Sequence, residues 1–71
     1  MNNDKSTFAV LERRHGATLS PDELAFESGA HPVRIREMCR DGRIHAVKIG
    51  SRWRIPLAAA AAFLEGDESH E

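Results

Sequence analysis

The most restrictive feature of the chain is a short helical segment with a strong start signal and an early stop. Ser20, Pro21 and Glu23 predict the start, because the Ser20 and Glu23 side chains can cap each other's amides and proline suits the first helical position. Gly29 supplies the left-handed residue at which helices commonly end. The predicted helix is therefore only about two turns long, with Leu24 on its buried face.

A second short helix is predicted directly after the break Gly29-Ala30-His31. Pro32 suits its first position, and the run from Val33 to Asp41 ends at Gly42, again a glycine at a helix C-terminus. Two short helices joined by a tight glycine turn form the pattern of a helix-turn-helix.

The second helix is predicted to bury a narrow stripe and to expose basic side chains. Ile35, Met38 and Cys39 fall at positions i, i+3 and i+4, which places them on one face. The residues that project from the other faces are mostly cationic: Arg34, Arg36, Glu37 and Arg40. The exposed surface of this helix therefore suits a polyanionic partner.

Residues 46–49 and 52–55 flank the dipeptide Gly50-Ser51 and predict a β-hairpin with a two-residue turn. Alternation is expected to turn four apolar residues toward the body of the domain: Val47, Ile49, Trp53 and Ile55. It is expected to turn three cations toward solvent: Lys48, Arg52 and Arg54. Trp53 is interpreted as the largest anchor of the core, in preference to a ring that stacks on a base or sugar.

Pro56 opens a third helix, Leu57 to Leu64, with an apolar stripe that can close over the core. The chain is thus predicted to be mainly α with a small two-stranded hairpin, a winged helix-turn-helix. Residues 1–18 are predicted as a tail or short helix, 19–65 as the domain and 66–71 as an acidic disordered tail. The predicted core contains Leu24, Ile35, Met38, Val47, Ile49, Trp53, Ile55 and Leu64.

Charge is distributed unevenly along the chain. The formal net charge is only -1. Residues 32–55 nevertheless hold seven cations against two anions, a balance of +5, and the acidic flanks compensate for it. A basic segment of this kind, formed by one helix and a hairpin, is the electrostatic pattern of a nucleic-acid-binding surface.

The segment resembles the excisionase family, a branch of the MerR-like winged helix-turn-helix superfamily. The resemblance is carried by Leu19-Ser20, Ala30-His31-Pro32-Val33, Arg40-Asp41-Gly42-Arg43-Ile44 and, most specifically, Val47-Lys48-Ile49-Gly50-Ser51-Arg52-Trp53-Arg54-Ile55-Pro56. The chain departs from the family at His31, where Ser or Thr is usual, and at Ala25 and Cys39, where longer apolar residues are usual.

The resemblance implies a recombination directionality factor that binds and bends attachment-site DNA so that an integrase favours excision. A small transcriptional regulator and, below it, a protein-interaction module are the alternatives. The second helix would read the major groove through Pro32, Val33, Arg34, Arg36, Glu37 and Arg40. The wing would hold the adjacent minor groove through Lys48, Ser51, Arg52 and Arg54. The expected partners are double-stranded DNA, an integrase and further copies of the chain on DNA.

Other classes of function find little support in the sequence. One cysteine allows no internal disulfide and no cysteine pair for zinc, and His15, His31, His45 and His70 match no metal-ligand spacing. We expect no cofactor and no enzymatic activity, because no nucleophile stands beside a base. Since no apolar run reaches the roughly 18 residues of a membrane span and no signal peptide is evident, a cytoplasmic location is expected.

Overall fold

Four short helices surround a small antiparallel sheet in the computed structural model, which describes residues 6–66. The elements in chain order are α1 Thr7–His15, β1 Thr18–Leu19, α2 Pro21–Ser28, α3 Pro32–Arg40, β2 Val47–Ile49, β3 Arg52–Pro56 and α4 Leu57–Leu64. The predicted winged helix-turn-helix is confirmed, with α2 and α3 as its two helices and β2 and β3 as its wing. Most of the predicted acidic tail, residues 67–71, lies outside the described residues.

The boundaries of α2 follow from local capping. The Ser20 hydroxyl accepts from the Glu23 amide at 3.1 Å, and the Ser20 amide donates to the Glu23 carboxylate at 2.8 Å. Gly29 ends the helix in the left-handed conformation, with φ of 80°. The capping interaction predicted from the sequence is therefore confirmed.

His31 caps α3 in place of a hydroxyl residue. Its Nδ1 atom accepts from the Val33 amide at 3.1 Å, so an imidazole nitrogen does what Ser or Thr would do at this position. The helix ends at Arg40, one residue before the predicted Asp41, and the chain then turns through Gly42 with φ of 82°.

A third strand, which the sequence analysis did not predict, joins the wing to the rest of the domain. In β1, Thr18 pairs with Pro56 and Leu19 pairs with Ile55, so that β3 lies between β1 and β2. The base of the wing is thus held by the segment that connects α1 to α2.

The register of the wing corrects the prediction for its two faces. Val47 pairs with Arg54, Lys48 with Trp53, and Ile49 with Arg52. Because paired residues on antiparallel strands share a face, the apolar residues of β2 lie with the arginines and not with Trp53.

The prediction that Val47 and Ile49 belong to the core is therefore wrong, since their exposed fractions are 48% and 63%. A two-residue turn pairs odd-numbered residues of β2 with even-numbered residues of β3. The apolar alternations of the two strands consequently point to opposite faces.

The core draws on every helix and on the centre of the sheet. Its buried residues are Leu11, Leu19, Leu24, Ala25, Ile35, Met38, Cys39, Ile44, Ile55, Leu57, Ala60 and Ala61. Of the other residues predicted to be in the core, Trp53 and Leu64 are half-buried and pack against its edge. Burial raises the pKa of the Cys39 thiol.

Ionic contacts attach α1 to α2. The Glu27 carboxylate lies 3.0 Å from Arg14 Nε and 2.7 Å from His15 Nε2, and both His15 and Glu27 have side chains only 12% exposed. The hydrogen bond with His15 lowers the pKa of Glu27 from its ordinary value; burial opposes this shift, and the charge of Arg14 adds to it. Residues 7–15 thus form a docked helix, which completes the core through Leu11.

Candidate nucleic-acid interface

Helix α3 presents its basic side chains to solvent. Ile35, Met38 and Cys39 anchor one side of it in the core. Of the predicted contact residues, four are exposed and two are half-buried: Val33, Arg34, Arg36 and Arg40 in the first group, Pro32 and Glu37 in the second. The buried stripe therefore determines which cations can reach a partner.

An open cleft of about 190 Å³ lies where α2, α3 and the wing meet. It is lined by Ser20, Pro21, Asp22, Arg36, Ser51, Arg52, Trp53 and Arg54. The cleft brings together Arg36 from α3 and Arg52 from the wing, which are far apart in the sequence. A phosphate backbone passing between helix and wing would meet cations from both.

Asp22 is a member of this cleft that the sequence analysis missed. Its carboxylate lies 3.4 Å from an Arg36 guanidinium nitrogen, and both side chains remain substantially exposed. In the sequence, an acidic residue in the first turn of a helix is already explained by its favourable interaction with the helix N-terminus. The residues next to Asp22 in the sequence do not predict its pairing with Arg36, because that pairing depends on how α2 packs against α3.

Arg54 is held by the protein and does not project freely from the wing. Its Nη2 and Nε atoms donate to the Thr18 hydroxyl at 2.8 Å and 3.1 Å. The side chain is half-buried, so the prediction that it points into solvent is wrong. Arg54 also lines the cleft, and its bonds to Thr18 tie β3 to β1.

Lys48 lies on the opposite face of the wing from Arg52. The Lys48 ammonium lies 5.2 Å from the centroid of the Trp53 ring, which is within the range of a cation–π interaction. The predicted single surface with three cations is therefore divided between two faces of the hairpin. Ser51 and Arg52, beside the turn, are both exposed.

Two exposed arginines of the predicted interface make no ion pair with another residue of the described region: Arg34 and Arg52. Arg40 has only a long contact with Asp41, at 3.9 Å. Cations without internal partners need not break a protein contact before they bind a phosphate.

Residues 18–67 match a family model described as a helix-turn-helix domain, which covers well over half of the chain. The chain belongs to this helix-turn-helix family. It is a family of DNA-binding domains, not typically enzymatic, and it includes excisionase-like proteins. The matched region spans β1 to α4, so that α1 precedes it. No curated protein and no solved structure matches the chain.

Two further observations apply to the region from residue 6 to residue 66. None of its helices has the length and apolar character needed to cross a membrane. Within the same region, no three His, Cys, Asp or Glu side chains cluster in a way that could hold a metal ion.

Proposed function

We propose that this helix-turn-helix protein is an excisionase-like recombination directionality factor. It binds attachment-site DNA in the bacterial cytoplasm and bends it, so that an integrase favours excision. The observation that carries the DNA-binding mode is the cleft in which Arg36 of α3 and Arg52 of the wing face the same space. The resemblance of residues 47–56 to the excisionase wing supports the recombination role.

In this mode α3 enters the major groove and the wing follows the adjacent minor groove. Arg34 and Arg36 are the best candidates for base contacts, because a guanidinium can bind guanine O6 and N7 together. Glu37 can accept from cytosine N4 or orient a neighbouring arginine. Ser51 and Arg52 contact phosphates or the groove edge.

A small transcriptional regulator is the second candidate, because the matched family contains the same DNA-binding domain without specifying the biological role. An excision assay separates the two roles. The protein is added to a purified candidate integrase and a DNA substrate that carries both of that integrase's attachment sites. Stimulated excision is expected. Operator binding and repression without any effect on excision would favour the regulator.

DNA affinity should depend steeply on salt concentration. If about six phosphates are contacted, the logarithm of the binding constant should fall with the logarithm of salt concentration at a slope near -5, because bound counterions are released. Fluorescence anisotropy with a labelled duplex between about 50 and 200 mM salt measures this slope. An interaction that salt does not weaken would contradict DNA binding through the basic surface.

Arg36 and Arg52 should contribute differently to recognition. Arg36→Ala should relax base preference at one position, by about 1 to 3 kcal/mol, if Arg36 reads a base edge. Arg52→Ala should weaken all duplexes and lower the salt slope by about 1. Binding of both variants to selected and scrambled duplexes measures the difference.

Arg43→Ala provides the matched control for that comparison. It removes the same charge from an exposed arginine outside the cleft and should change neither base preference nor the slope appreciably. Identical effects of Arg36→Ala and Arg52→Ala would contradict the assigned division of roles.

We further propose that the protein is a monomer in solution and binds tandem sites cooperatively, head to tail. A single module of this kind buries roughly 600 to 1,000 Å² on DNA, so one copy alone should bind weakly. The acidic residues Asp67 and Glu68, which lie outside the described residues, carry charge complementary to the basic surface of a neighbouring copy. Gel-shift titrations with one, two and three adjacent sites should show rising affinity per site, and circular-permutation analysis should show bending. A stable solution dimer on one inverted repeat would contradict this assembly.

A further inference from the structure

Two exposed β-branched residues lie side by side on one face of the wing. Val47 and Ile49 are 48% and 63% exposed and project from the same side of β2, since they are two residues apart on a strand. A single exposed apolar residue needs no special explanation, but a pair on a projecting hairpin is a contiguous apolar surface. Ile49 immediately precedes the Gly50-Ser51 turn, at the tip.

Folding does not account for this apolar pair. On the wing's other face, Ile55 lies within the core and Trp53 packs against it. Val47 and Ile49 are neither core residues nor residues that pack against the core. Strand β2 is also at the edge of the sheet, with β3 on one side only among the described strands. The pair thus contributes little to the buried area of the domain.

The cations beside the pair indicate the chemistry of its partner. Arg52 is directly opposite Ile49, is exposed, and makes no ion pair within residues 6–66. Arg52 also lines the cleft with Arg36, so the apolar face continues the surface assigned to DNA. A partner that fits must offer apolar walls between rows of negative charge. The minor groove of a duplex has this form, with deoxyribose walls and phosphate edges.

We infer that Ile49 packs against the sugar walls of the minor groove while Arg52 binds the adjacent phosphate, with Val47 extending the apolar contact. This inference rests on the DNA-binding function proposed above. It assigns part of the wing's affinity to apolar burial and not to charge.

Ile49→Thr tests the inference with little effect on folding. Threonine keeps the β-branched shape and the preference for strands, and the site is largely exposed. We expect affinity for a single-site duplex to fall about tenfold, because most of the apolar contact is lost. The salt slope should stay at the wild-type value, because no phosphate contact is removed.

Phe8→Ala is the matched control: it removes a 43% exposed apolar side chain from α1, outside the wing, and should leave affinity unchanged. Hydroxyl-radical footprinting adds a second readout, in which Ile49→Thr should lose minor-groove protection at the wing while α3 contacts persist.

Wild-type affinity of Ile49→Thr on a single site would overturn the inference and leave the proposed function intact. A loss confined to cooperativity on tandem sites would also overturn it, because the face would then join copies of the chain. Salt-independent binding by the wild type would overturn the proposed function and this inference together.

Discussion

Ile55→Ala should unfold the protein at a much lower temperature than the wild type. Ile55 is fully buried at the centre of the sheet, where it pairs with Leu19 of β1. Replacing a buried isoleucine with alanine costs about 2 to 5 kcal/mol, against a total stability of about 5 to 15 kcal/mol for typical domains. For so small a domain the midpoint should fall by at least about 10 °C in thermal unfolding followed by circular dichroism.

The wing provides a control with the same chemical change. Ile49→Ala removes the same atoms from the same hairpin, but at a site that is 63% exposed. Ile49→Ala should change the free energy of unfolding by no more than about 0.5 kcal/mol. Equal shifts of the unfolding midpoint in Ile55→Ala and Ile49→Ala would contradict the strand register, which buries Ile55 and exposes Ile49.

Glu27→Gln should destabilise the protein at neutral pH and flatten its acid denaturation. The Glu27 carboxylate joins α1 to α2 through Arg14 and His15, and charged hydrogen bonds of this kind contribute about 1 to 3 kcal/mol. Because the pKa of Glu27 is lowered in the folded state, its contribution is complete above the unfolded value of about 4.3 and is lost as pH falls through the lowered pKa. Unfolding midpoints from pH 3 to pH 8 measure this dependence.

Glu12→Gln is the control for the acid limb. It removes one exposed carboxylate from α1, the helix to which Glu27 of α2 is bonded, without touching the contacts of Glu27. The unfolding midpoint of Glu12→Gln should vary with pH as that of the wild type does. The midpoint of Glu27→Gln should lie below the wild-type midpoint at neutral pH and should equal it only at low pH. If the unfolding midpoints of the wild type and Glu27→Gln differed by the same amount at every pH, the Glu27 carboxylate would not stabilise the docking of α1.

The sequence predicted those parts of the fold that depend on neighbouring residues. The start of α2 follows from Ser20 and Glu23, three residues apart, and its end follows from Gly29. Capping depends only on residues within one turn of helix, so it can be predicted without the tertiary fold. The order of helix, helix and hairpin also follows from such local signals, and the family resemblance added the expected role in recombination.

The parts that sequence reasoning missed depend on distant partners or on register. Strand β1 has only two residues and forms by pairing with β3. Asp22 contacts Arg36 across two packed helices, and Arg54 bonds to Thr18 across 36 positions. Alternation within β2 alone predicts the wrong face for Val47 and Ile49. The two-residue turn sets the pairing between the strands, and it places Ile49 opposite Arg52.

The attachment of the wing through Thr18 has a consequence for the order of folding. Contacts between Thr18 and Arg54 close a loop of 36 positions, whereas the caps of α2 and α3 close within a few residues. Because long loops lose more entropy on closure, we expect the capped helices to gain structure early and the base of the wing to join late. A partly folded chain would then have a formed α3 without an oriented wing. The cleft between α3 and the wing would therefore be completed in the last step of folding.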